Sequence, residues 1–418
     1  MGATARAVTT TCCIAGGGPA GLMLGVLLAR AGVDVTVLEK HADFLRDFRG
    51  DTIHPSTLEL MHELGLLDAF LKLPHQRAET LTGMIGEHAI RIADFRHLPT
   101  RCRFVAFMPQ WDFLDFLADH GRRYRGFHLL METEAETLVE EGGRIAGLRA
   151  RGPDGAVEIR AALTVGADGR GSRVRDCAGL AVRDLGAPMD VLWMRLPRQP
   201  GDPDETFGRF DAGRLLVLIN RGDYWQCALV IPKGGFDMIR AAGIAAFRAR
   251  VAALLPFDGG RAAAIESFDD VKLLTVRVDR LDRWWRPGLL MIGDAAHAMS
   301  PVGGIGINLA IQDAVAAANL LAAGLRAGGV TDGDLAAVER RRLWPTRVTQ
   351  RLQLAVQNRV ISPVLASRGP IRAPWPARLF NRFPVLRRIP ARLIGMGVRP
   401  EHIETPDMTL PAPAVQSG

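Results

Sequence analysis

The stretch from residue 12 to residue 40, CCIAGGGPAGLMLGVLLARAGVDVTVLEK, most constrains the fold of this chain. The apolar run from Val8 to Ala15 predicts a strand that ends on glycine. Leu22 to Ala31 is apolar and helix-forming, and the β-branched alternation of Val33 to Leu38 predicts a second strand. A strand, a tight turn, a helix and a strand form a βαβ unit, so the sequence predicts an α/β fold.

Three glycines in the turn have the spacing of a dinucleotide-binding loop. Gly16, Gly18 and Gly21 fit G-x-G-x-x-G, and Glu39 follows Gly21 by 18 residues, where a carboxylate can meet a ribose hydroxyl. The start of the predicted helix offers free N–H groups to phosphates. We predict a dinucleotide site here, although an ordinary βαβ unit with a glycine-rich turn is the alternative. This stretch alone does not decide which dinucleotide binds.

Composition limits the compartment and the chemistry. No signal peptide is recognisable at the N-terminus, and the apolar run Leu22 to Ala31 is too short to span a bilayer. The number of cysteines is odd, which predicts a reducing cytoplasm and no disulfide framework; they are Cys12, Cys13, Cys102, Cys177 and Cys227. No Cys/His cluster has metal-ligand spacing, so we expect no metal.

The net charge of +7 is concentrated near the C-terminus, where residues 340–400 contain 14 Arg and no Lys, Asp or Glu. A solvated basic surface is the simplest interpretation, and a peripheral membrane contact is the sharper one. Residues 375–399 mix Arg with Leu, Ile and Phe, so they could lie in a membrane interface or cap a pocket. Prolines at 376, 384 and 390 argue against one continuous amphipathic helix. Nucleic acid is not expected as a partner, because no binding motif occurs.

Two further strand–loop units lie far from the first. Leu163 to Val165 predicts a short strand that runs into Gly166-Ala167-Asp168-Gly169, with Ser172 and Arg175 opening a helix. Leu289 to Ile292 predicts a buried strand that reaches Gly293-Asp294, a loop with Pro301, and a helix from Asn308 to Leu325. One nucleotide-binding domain must therefore be assembled from separated segments, and the strand-rich residues between them form a second domain.

The three motifs, in this order, resemble those of the class A flavoprotein monooxygenases, the para-hydroxybenzoate hydroxylase-like family. The matching residues are GGGPAG with Glu39, the Asp-Gly motif at 166–169, and the Gly-Asp motif at 293–297 followed by Pro301 and GGIGINLAIQDA. The resemblance implies a Rossmann-like FAD-binding domain of the GR2 type, a sheet-rich substrate domain and a C-terminal helical region. The expected boundaries are 1–74, 103–178 and 271–330 for the FAD-binding domain, 75–102 and 179–270 for the substrate domain, and 331–418 for the basic helical region and tail.

The resemblance also implies residue roles. At the FAD pyrophosphate it implies Gly16, Gly18, Ala20 and Gly21, with Arg49 nearby, and at the adenosine ribose it implies Glu39 with Lys40. Gln110 is expected beside the ribityl chain, Asp294 at the ribityl or phosphate side, and Asp168 as a support for Arg49 and the cofactor. The N–H groups of Gly306, Ile307 and Asn308 are expected at the pyrimidine edge. Pro301 is expected over the flavin ring, near the substrate. For Asp168, a turn-stabilising carboxylate is the alternative, and His297 is interpreted as a loop-stabilising residue or a catalyst.

The catalytic candidates are less constrained. Asp51 and His54 replace residues that are uncharged in many relatives, and we predict that they, with Tyr224, shape the pocket or act as a base. A surface-loop aspartate and a helix-capping histidine are the alternatives. The pocket wall is expected to include Trp193, Phe207, Phe210 and Trp225, which are equally well interpreted as core. No cluster of Arg for a substrate carboxylate is recognised, which favours an apolar substrate.

The resemblance implies an enzyme that inserts one oxygen atom from O2, through a flavin C4a-hydroperoxide, into an apolar, aromatic or polycyclic small molecule. NADPH or NADH would be the co-substrate. The alternative is an FAD-dependent reductase of a lipid-like prenyl substrate, and a non-catalytic FAD-binding protein is a third interpretation. We expect a monomer or a homodimer.

Overall fold

A computed structural model describes residues 6–45, 52–86, 88–371 and 375–408, and the protein has a mixed α/β architecture. The strands are β1 (Arg6–Ala15), β2 (Val35–Leu38), β3 (Thr52–Ile53), β4 (Gln76–Ala78), β5 (Thr80–Ile85), β6 (His88–Asp94), β7 (Val105–Phe107), β8 (Phe127–Leu130), β9 (Glu134–Glu141), β10 (Arg144–Gly152), β11 (Gly155–Gly166), β12 (Val182–Asp184), β13 (Met189–Pro197), β14 (Phe207–Asp211), β15 (Arg214–Asn220), β16 (Tyr224–Pro232), β17 (Lys272–Leu274), β18 (Asp279–Leu281), β19 (Trp285–Arg286) and β20 (Leu289–Met291).

The helices are α1 (Pro19–Arg30), α2 (Pro55–Glu63), α3 (Leu67–Phe70), α4 (Gln110–Gly121), α5 (Arg173–Cys177), α6 (Phe236–Ala241), α7 (Ile244–Ala252), α8 (Gly306–Arg326), α9 (Asp332–Val356), α10 (Ser362–Ala366), α11 (Trp375–Arg382) and α12 (Arg388–Gly395). A π-helical turn, Gln357–Ile361, joins α9 to α10. Helices α2 and α3 are separated at Gly65, which has a φ of +71°, a value that glycine adopts without strain.

The first sheet has a parallel centre, in the order β19-β20-β11-β1-β2-β8. Strand β1 pairs in parallel with β2 on one side and with β11 on the other, and β20 pairs in parallel with the end of β11. The antiparallel hairpin β9–β10 pairs with the beginning of β11. Helices α1 and α8 pack on this sheet, so strands from distant parts of the chain meet side by side.

The second sheet has the order β17-β13-β16-β15-β14-β5-β6 and is antiparallel except between β14 and β5. Alternate residues of its strands point to opposite sides. We call the side with Val191, Trp193 and Val217 the inner face, and it packs toward Val302, Ile361 and Leu365. The opposite, outer face is covered by α7. Two small sheets, β3-β7-β4 and β12-β18, complete the strands.

The helix at Val302–Arg326 is long and apolar enough to cross a membrane, but 72% of its apolar window is buried inside the protein. It is the central core helix, since α8 packs against α1 and the parallel sheet. The last residues described, up to Met408, also pack on this core. Thr405 is buried and its carbonyl oxygen accepts from Arg30, whose own carbonyl oxygen accepts from the Met408 amide.

Candidate functional site

The three sequence motifs meet at the carboxyl edge of the parallel sheet. The Gly16 amide donates to Leu38 at the end of β2, and the Ala167 amide donates to Ala15 at the end of β1. The Ile292 amide donates to Gly166 at the end of β11. The glycine turn, Glu39, the Asp-Gly motif and the Gly-Asp motif therefore lie around one edge, which is where open α/β sheets bind nucleotides.

Each glycine of the turn has a different environment. Gly16 has a φ of +110°, and a Cβ there would lie 2.4 Å from the Ala167 carbonyl oxygen. A Cβ at Gly21 would lie 1.9 Å from the Gly16 carbonyl oxygen. At Gly18 a Cβ would meet nothing within 4 Å. Two of the glycines are thus required by the packing of the turn, and the third leaves an open space at the start of α1.

Glu39 lies beside this turn and is buried. Its two carboxylate oxygens accept from the Gly17 amide at 3.2 Å and from the His41 amide at 3.0 Å. Lys40, which was predicted beside it, is half exposed and lies 3.9 Å from Glu134. Ala20 is buried at the start of α1, and a Cβ at Gly293 would lie 3.2 Å from its Cβ. The Gly-Asp motif therefore packs directly on the glycine turn.

Helix α8 begins opposite the turn without a side-chain cap. The first N–H groups of a helix have no intrahelical acceptor, so Gly306, Ile307 and Asn308 can donate to a ligand. The Asn308 side chain is engaged elsewhere. Its oxygen accepts from the His54 amide at 2.9 Å and from the Thr57 hydroxyl at 2.7 Å, and its nitrogen donates to the Thr52 carbonyl oxygen at 3.0 Å. Asn308 thus fixes the segment before α2 against the start of α8.

Asp168 lies in the turn before α5. One of its carboxylate oxygens accepts from the Val174 amide at 3.1 Å, while the hydroxyl of Ser172, the N-cap residue of α5, accepts from the Arg175 amide at 3.0 Å. Burial raises the pKa of Asp168 above its usual value, although hydrogen bonds from Ser172 and the Val174 amide oppose the shift. Asp294 accepts from the Arg170 guanidinium at 3.0 Å, and both side chains are about one-third exposed. Arg170 was not singled out in the sequence, although it stands inside the Asp-Gly motif.

The loop that carries Pro301 is held by glutamines that the sequence did not reveal. Pro301 precedes a tight turn, Val302–Gly304, in which Gly303 and Gly304 have φ values of +78° and +63°. Gln353 accepts from the Ser300 amide and donates to the Ser300 and Val302 carbonyl oxygens. Gln357, in the π-helical turn, donates to the Ser300 hydroxyl at 2.6 Å. The loop is therefore fixed in place by buried side chains of α9 and its extension.

His54 is almost fully buried at the start of α2. Its Nδ1 lies 2.7 Å from the Ile394 carbonyl oxygen, so Nδ1 carries the proton and donates. Burial lowers the pKa of His54 from 6.5 to about 4, although the hydrogen bond to Ile394 opposes the shift. The ring is neutral at pH 7, and it ties α2 to α12.

This titration predicts a pH dependence of stability. The unfolded chain takes up a proton at His54 below pH 6.5 and the folded chain does so only near pH 4. The contribution is therefore complete above pH 6.5 and is lost as the pH falls toward 4, by about 3 kcal/mol in total. His54→Asn keeps a donor for Ile394 but does not titrate. Urea unfolding at several pH values should show that the free energy of unfolding depends less on pH in this variant, by up to about 1.4 kcal/mol per pH unit between pH 4 and 6.5. Equal slopes would contradict the assignment.

The inner face of the second sheet carries an apolar centre and a polar end. Tyr224 shares this face with Ala228, and the Arg195 guanidinium lies 5.0 Å from the centre of its ring. The Arg221 guanidinium donates to Gln226 at 2.9 Å. Arg195 and Arg221 thus bring two guanidinium groups to this end. Arg195 lies on β13 and Arg221 directly follows β15, and these two strands lie on either side of β16, so no spacing in the sequence reveals the pair.

Two predicted pocket aromatics lie on the wrong side of this sheet. Trp225 is fully buried on the outer face, where it stacks on Phe257 with ring centres 5.7 Å apart and contacts Phe207. Trp193 and Phe210 pack on the inner face instead. The four aromatics were predicted together in one pocket wall, but the structure divides them between two faces, and only tertiary packing decides which face the helices of the outer layer cover.

A buried network of charges joins the Gly-Asp motif to the C-terminal segment. The Asp313 carboxylate accepts from the Gly293 amide at 3.1 Å, from His297 at 2.5 Å and from Arg342 at 2.9 Å. Arg342 also donates to Glu401 at 3.0 Å. Burial alone would raise the pKa of Asp313, but His297 and Arg342 outweigh it and lower that pKa. His297 thus contributes to the loop's stability, as one of its two interpretations predicted.

Three predicted site residues remain, namely Arg49, Asp51 and Gln110. Arg49 and Asp51 lie outside the described residues. Gln110 begins α4, where the sequence placed it just ahead of the helix. Within the described residues, no group of three or more His, Cys, Asp or Glu side chains could hold a metal ion.

The residues present fit FAD. Gly18 leaves open space at the start of α1, Glu39 is buried beside the glycine turn, and α8, which begins without a side-chain cap, packs through Ala310 on Gly293. The negatively charged parts of FAD would meet N–H groups and helix N-termini here. The residue roles themselves stay predictions.

Comparison with known proteins agrees with this geometry. A family model described as an FAD binding domain matches residues 9–352. The 6-methylpretetramide 4-monooxygenase of Streptomyces rimosus is 34% identical over 387 residues, which are 92% of this chain and 92% of that relative. Rifampicin monooxygenase of Streptomyces venezuelae is 28% identical over 317 residues, which are 72% of this chain and 61% of that relative.

Solved structures show the same fold. The OxyS anhydrotetracycline hydroxylase of Streptomyces rimosus has a TM-score of 0.72 at 24% identity and covers 94% of this chain and 77% of its own. PqsL of Pseudomonas aeruginosa has a TM-score of 0.72 at 23% identity and covers 86% and 98%. The named relatives favour oxygen insertion over the reductase alternative. The chain belongs to the FAD-binding-domain family and is an FAD-dependent monooxygenase of the class A flavoproteins.

Proposed function

We propose that this monooxygenase inserts one oxygen atom from O2 into an apolar, polycyclic aromatic small molecule, with NADPH or NADH as the reductant. The observation that carries the proposal is the apolar centre of the inner face, where Val191, Trp193 and Val217 pack toward Val302 of the Pro301 loop. That loop follows Asp294, so the apolar face adjoins the proposed cofactor site. Flat apolar rings fit such a surface better than small charged acids do. The names of the relatives, which include 6-methylpretetramide and rifampicin, support the same substrate class.

The chain would hold FAD through backbone groups. We propose that Gly16, Gly18 and Gly21 accommodate the pyrophosphate and that Glu39 accepts from the ribose. When bound, FAD supplies hydride acceptance and the activation of O2. The N–H groups at the start of α8 would stabilise negative charge on the pyrimidine edge, since a helix N-terminus carries a partial positive charge. This stabilisation needs no mobile cation.

The chain would orient the substrate through its fixed loop and the polar end of the inner face. Gln353 and Gln357 hold the Pro301 loop rigidly, so its position against a substrate ring is set before binding. We propose that Tyr224, with Arg195 over its ring, meets a phenolic or enolic oxygen of the substrate. His54 is neutral and protonated at Nδ1, so in this role only its Nε2 could accept a proton.

The arrangement into domains is part of the same proposal. We assign 1–74, 103–178 and 271–330 to FAD binding and 75–102 and 179–270 to the substrate. The parallel sheet uses strands from the first set of segments, and β5, β6 and β13–β16 come from the second. The use of NADPH or NADH as the reductant, together with the free cysteine thiols, is compatible with a cytoplasmic enzyme.

The experiment measures NADPH and NADH oxidation in air with a panel of aromatic compounds, while peroxide is recorded in parallel. We expect a tetracyclic phenol such as anhydrotetracycline to accelerate oxidation by about tenfold or more, because substrate binding completes the pocket. The one-ring control, para-hydroxybenzoate, should have little effect. Acceleration by one-ring acids and not by polycyclic compounds would contradict the proposed substrate class.

A further inference from the structure

The segment formed by α11, the turn Pro384–Arg387 and α12 has two different faces, and we call it the C-terminal hairpin. Its inward face is fixed to the second sheet. Asn381 donates to the carbonyl oxygen of Ala89 in β6 at 2.8 Å. Ala391 is fully buried, and Ile394 packs with Phe107 and Ile219. The hairpin therefore forms an outer wall next to the apolar inner face.

The outward face of the hairpin is apolar and cationic. Phe383, Val385 and Ile389 are 50%, 60% and 60% exposed. The exposed arginines Arg382, Arg388 and Arg392 alternate with them along the chain. No Asp or Glu occurs between residues 340 and 400, so no acidic side chain of this stretch neutralises the patch. Large apolar side chains exposed together on a surface mark an interaction site.

We propose that the outward face of the C-terminal hairpin docks on the surface of an anionic phospholipid bilayer. The exposed apolar side chains would enter the boundary between the lipid head groups and the acyl chains, while the arginine guanidinium groups would meet lipid phosphates. The hairpin spans only two short helices, so it would lie on the bilayer and not cross it. Its inward face stays on the sheet, so docking needs no rearrangement.

The charge pattern favours a bilayer over a second copy of this chain. Two hairpins that faced each other would bring arginines against arginines, which is unfavourable without intervening anions. A bilayer rich in anionic lipid supplies many negative charges and an apolar layer beneath them. The position also suits the substrate, because an apolar polycyclic compound that partitions into lipid would reach the wall of the pocket. This argument about the substrate rests on the proposed function, whereas the docking does not.

The test is vesicle co-sedimentation of the FAD-loaded enzyme. Vesicles of phosphatidylcholine alone are compared with vesicles that contain about 30% phosphatidylglycerol, since the arginines should respond to surface charge. We expect binding to the anionic vesicles to be about tenfold tighter and to weaken with salt. Phe383→Ser/Val385→Ser/Ile389→Ser and, separately, Arg382→Gln/Arg388→Gln/Arg392→Gln should each lose about tenfold in binding.

A matched control removes three exposed apolar side chains elsewhere. Val182, Met238 and Leu273 are 43%, 74% and 44% exposed, and their triple serine variant should bind vesicles like the wild type. Melting temperature and the absorbance of bound FAD check that every variant is folded. The proposal is wrong if the wild type ignores anionic vesicles or if the control loses as much as the hairpin variants. A lipid-free dimer that the hairpin variants turn into monomers would also overturn it, in favour of a second copy. Because binding is read without turnover, failure here leaves the monooxygenase proposal standing.

Discussion

The substitution Gly21→Ala should strongly weaken FAD binding and destabilise the apoenzyme. A Cβ there would lie 1.9 Å from the Gly16 carbonyl oxygen, so α1 and the turn must move apart. Because backbone atoms on both sides are fixed in the sheet and the helix, we expect a loss of about 3 kcal/mol in the free energy of unfolding. The affinity for FAD should fall by about 100-fold or more, because the N–H groups at the start of α1 are displaced.

Gly18→Ala is the matched control for that prediction. Gly18 has a φ of −75°, which alanine adopts, and its Cβ would meet no atom within 4 Å. The apoenzyme should therefore keep its stability within about 0.5 kcal/mol. FAD should still bind at least about tenfold more weakly, since the pyrophosphate approaches the backbone at this glycine. Titration of apoenzyme with FAD and urea unfolding check both variants. Normal FAD affinity of Gly18→Ala would contradict the proposed cradle.

Removal of the Arg342 guanidinium should cost about 3–5 kcal/mol of stability, because it leaves buried carboxylates without their cation. The side chains of Arg342, Asp313 and Glu401 are 1%, 0% and 3% exposed. Arg342→Met keeps most of the volume and removes the charge, so the loss reports on the network and not on a cavity. The same variant should loosen the Gly293–Asp294 turn, since Asp313 accepts from the Gly293 amide. Urea unfolding of the FAD-loaded and FAD-free protein measures both effects.

Arg341→Met is the control, because Arg341 pairs with the same carboxylate of Glu401 but is 35% exposed. A solvated ion pair contributes little, so we expect a loss of at most about 1 kcal/mol. Similar losses for the two arginines would show that burial does not set the strength of this network.

The glycine turn was the part of the fold that the sequence determined best. A φ of +110° at Gly16 and the close approach at Gly21 are local requirements, and only glycine meets them. The order of strand, turn, helix and strand follows from periodicity within 30 neighbouring residues. The order of the strands in the parallel sheet could be expected only through the resemblance, because β11 and β20 are far from β1 along the chain.

The parts that the sequence did not reveal depend on contacts between distant elements. Asp313, Arg342 and Glu401 belong to α8, α9 and the C-terminal segment, and nothing in their local patterns marks them as partners. Arg342 stands in a run of three arginines of which burial singles out one. The hydrogen bond that Asp168 accepts from the Val174 amide depends on where α5 begins.

In the basic C-terminal region, composition predicts helices interrupted by prolines, whereas packing decides which face of them is buried. Composition predicted amphipathic, proline-interrupted helices, and the structure has α11 and α12 separated at Pro384. Composition did not tell which face would be buried. The contacts of Ala391 and Ile394 with the second sheet place the apolar inward face against the enzyme and leave Phe383, Val385 and Ile389 outside.

The most direct test of the central claim is the origin of the oxygen atom in the product. The FAD-loaded enzyme would be given NADPH, a tetracyclic phenol that accelerates NADPH oxidation, and isotopically heavy O2, and the product would be analysed by mass spectrometry. A monooxygenase should give a product that carries one heavy oxygen atom, with one NADPH consumed for each product molecule. A product that gains hydrogen and no heavy oxygen, or that forms equally well without O2, would contradict it and favour a reductase.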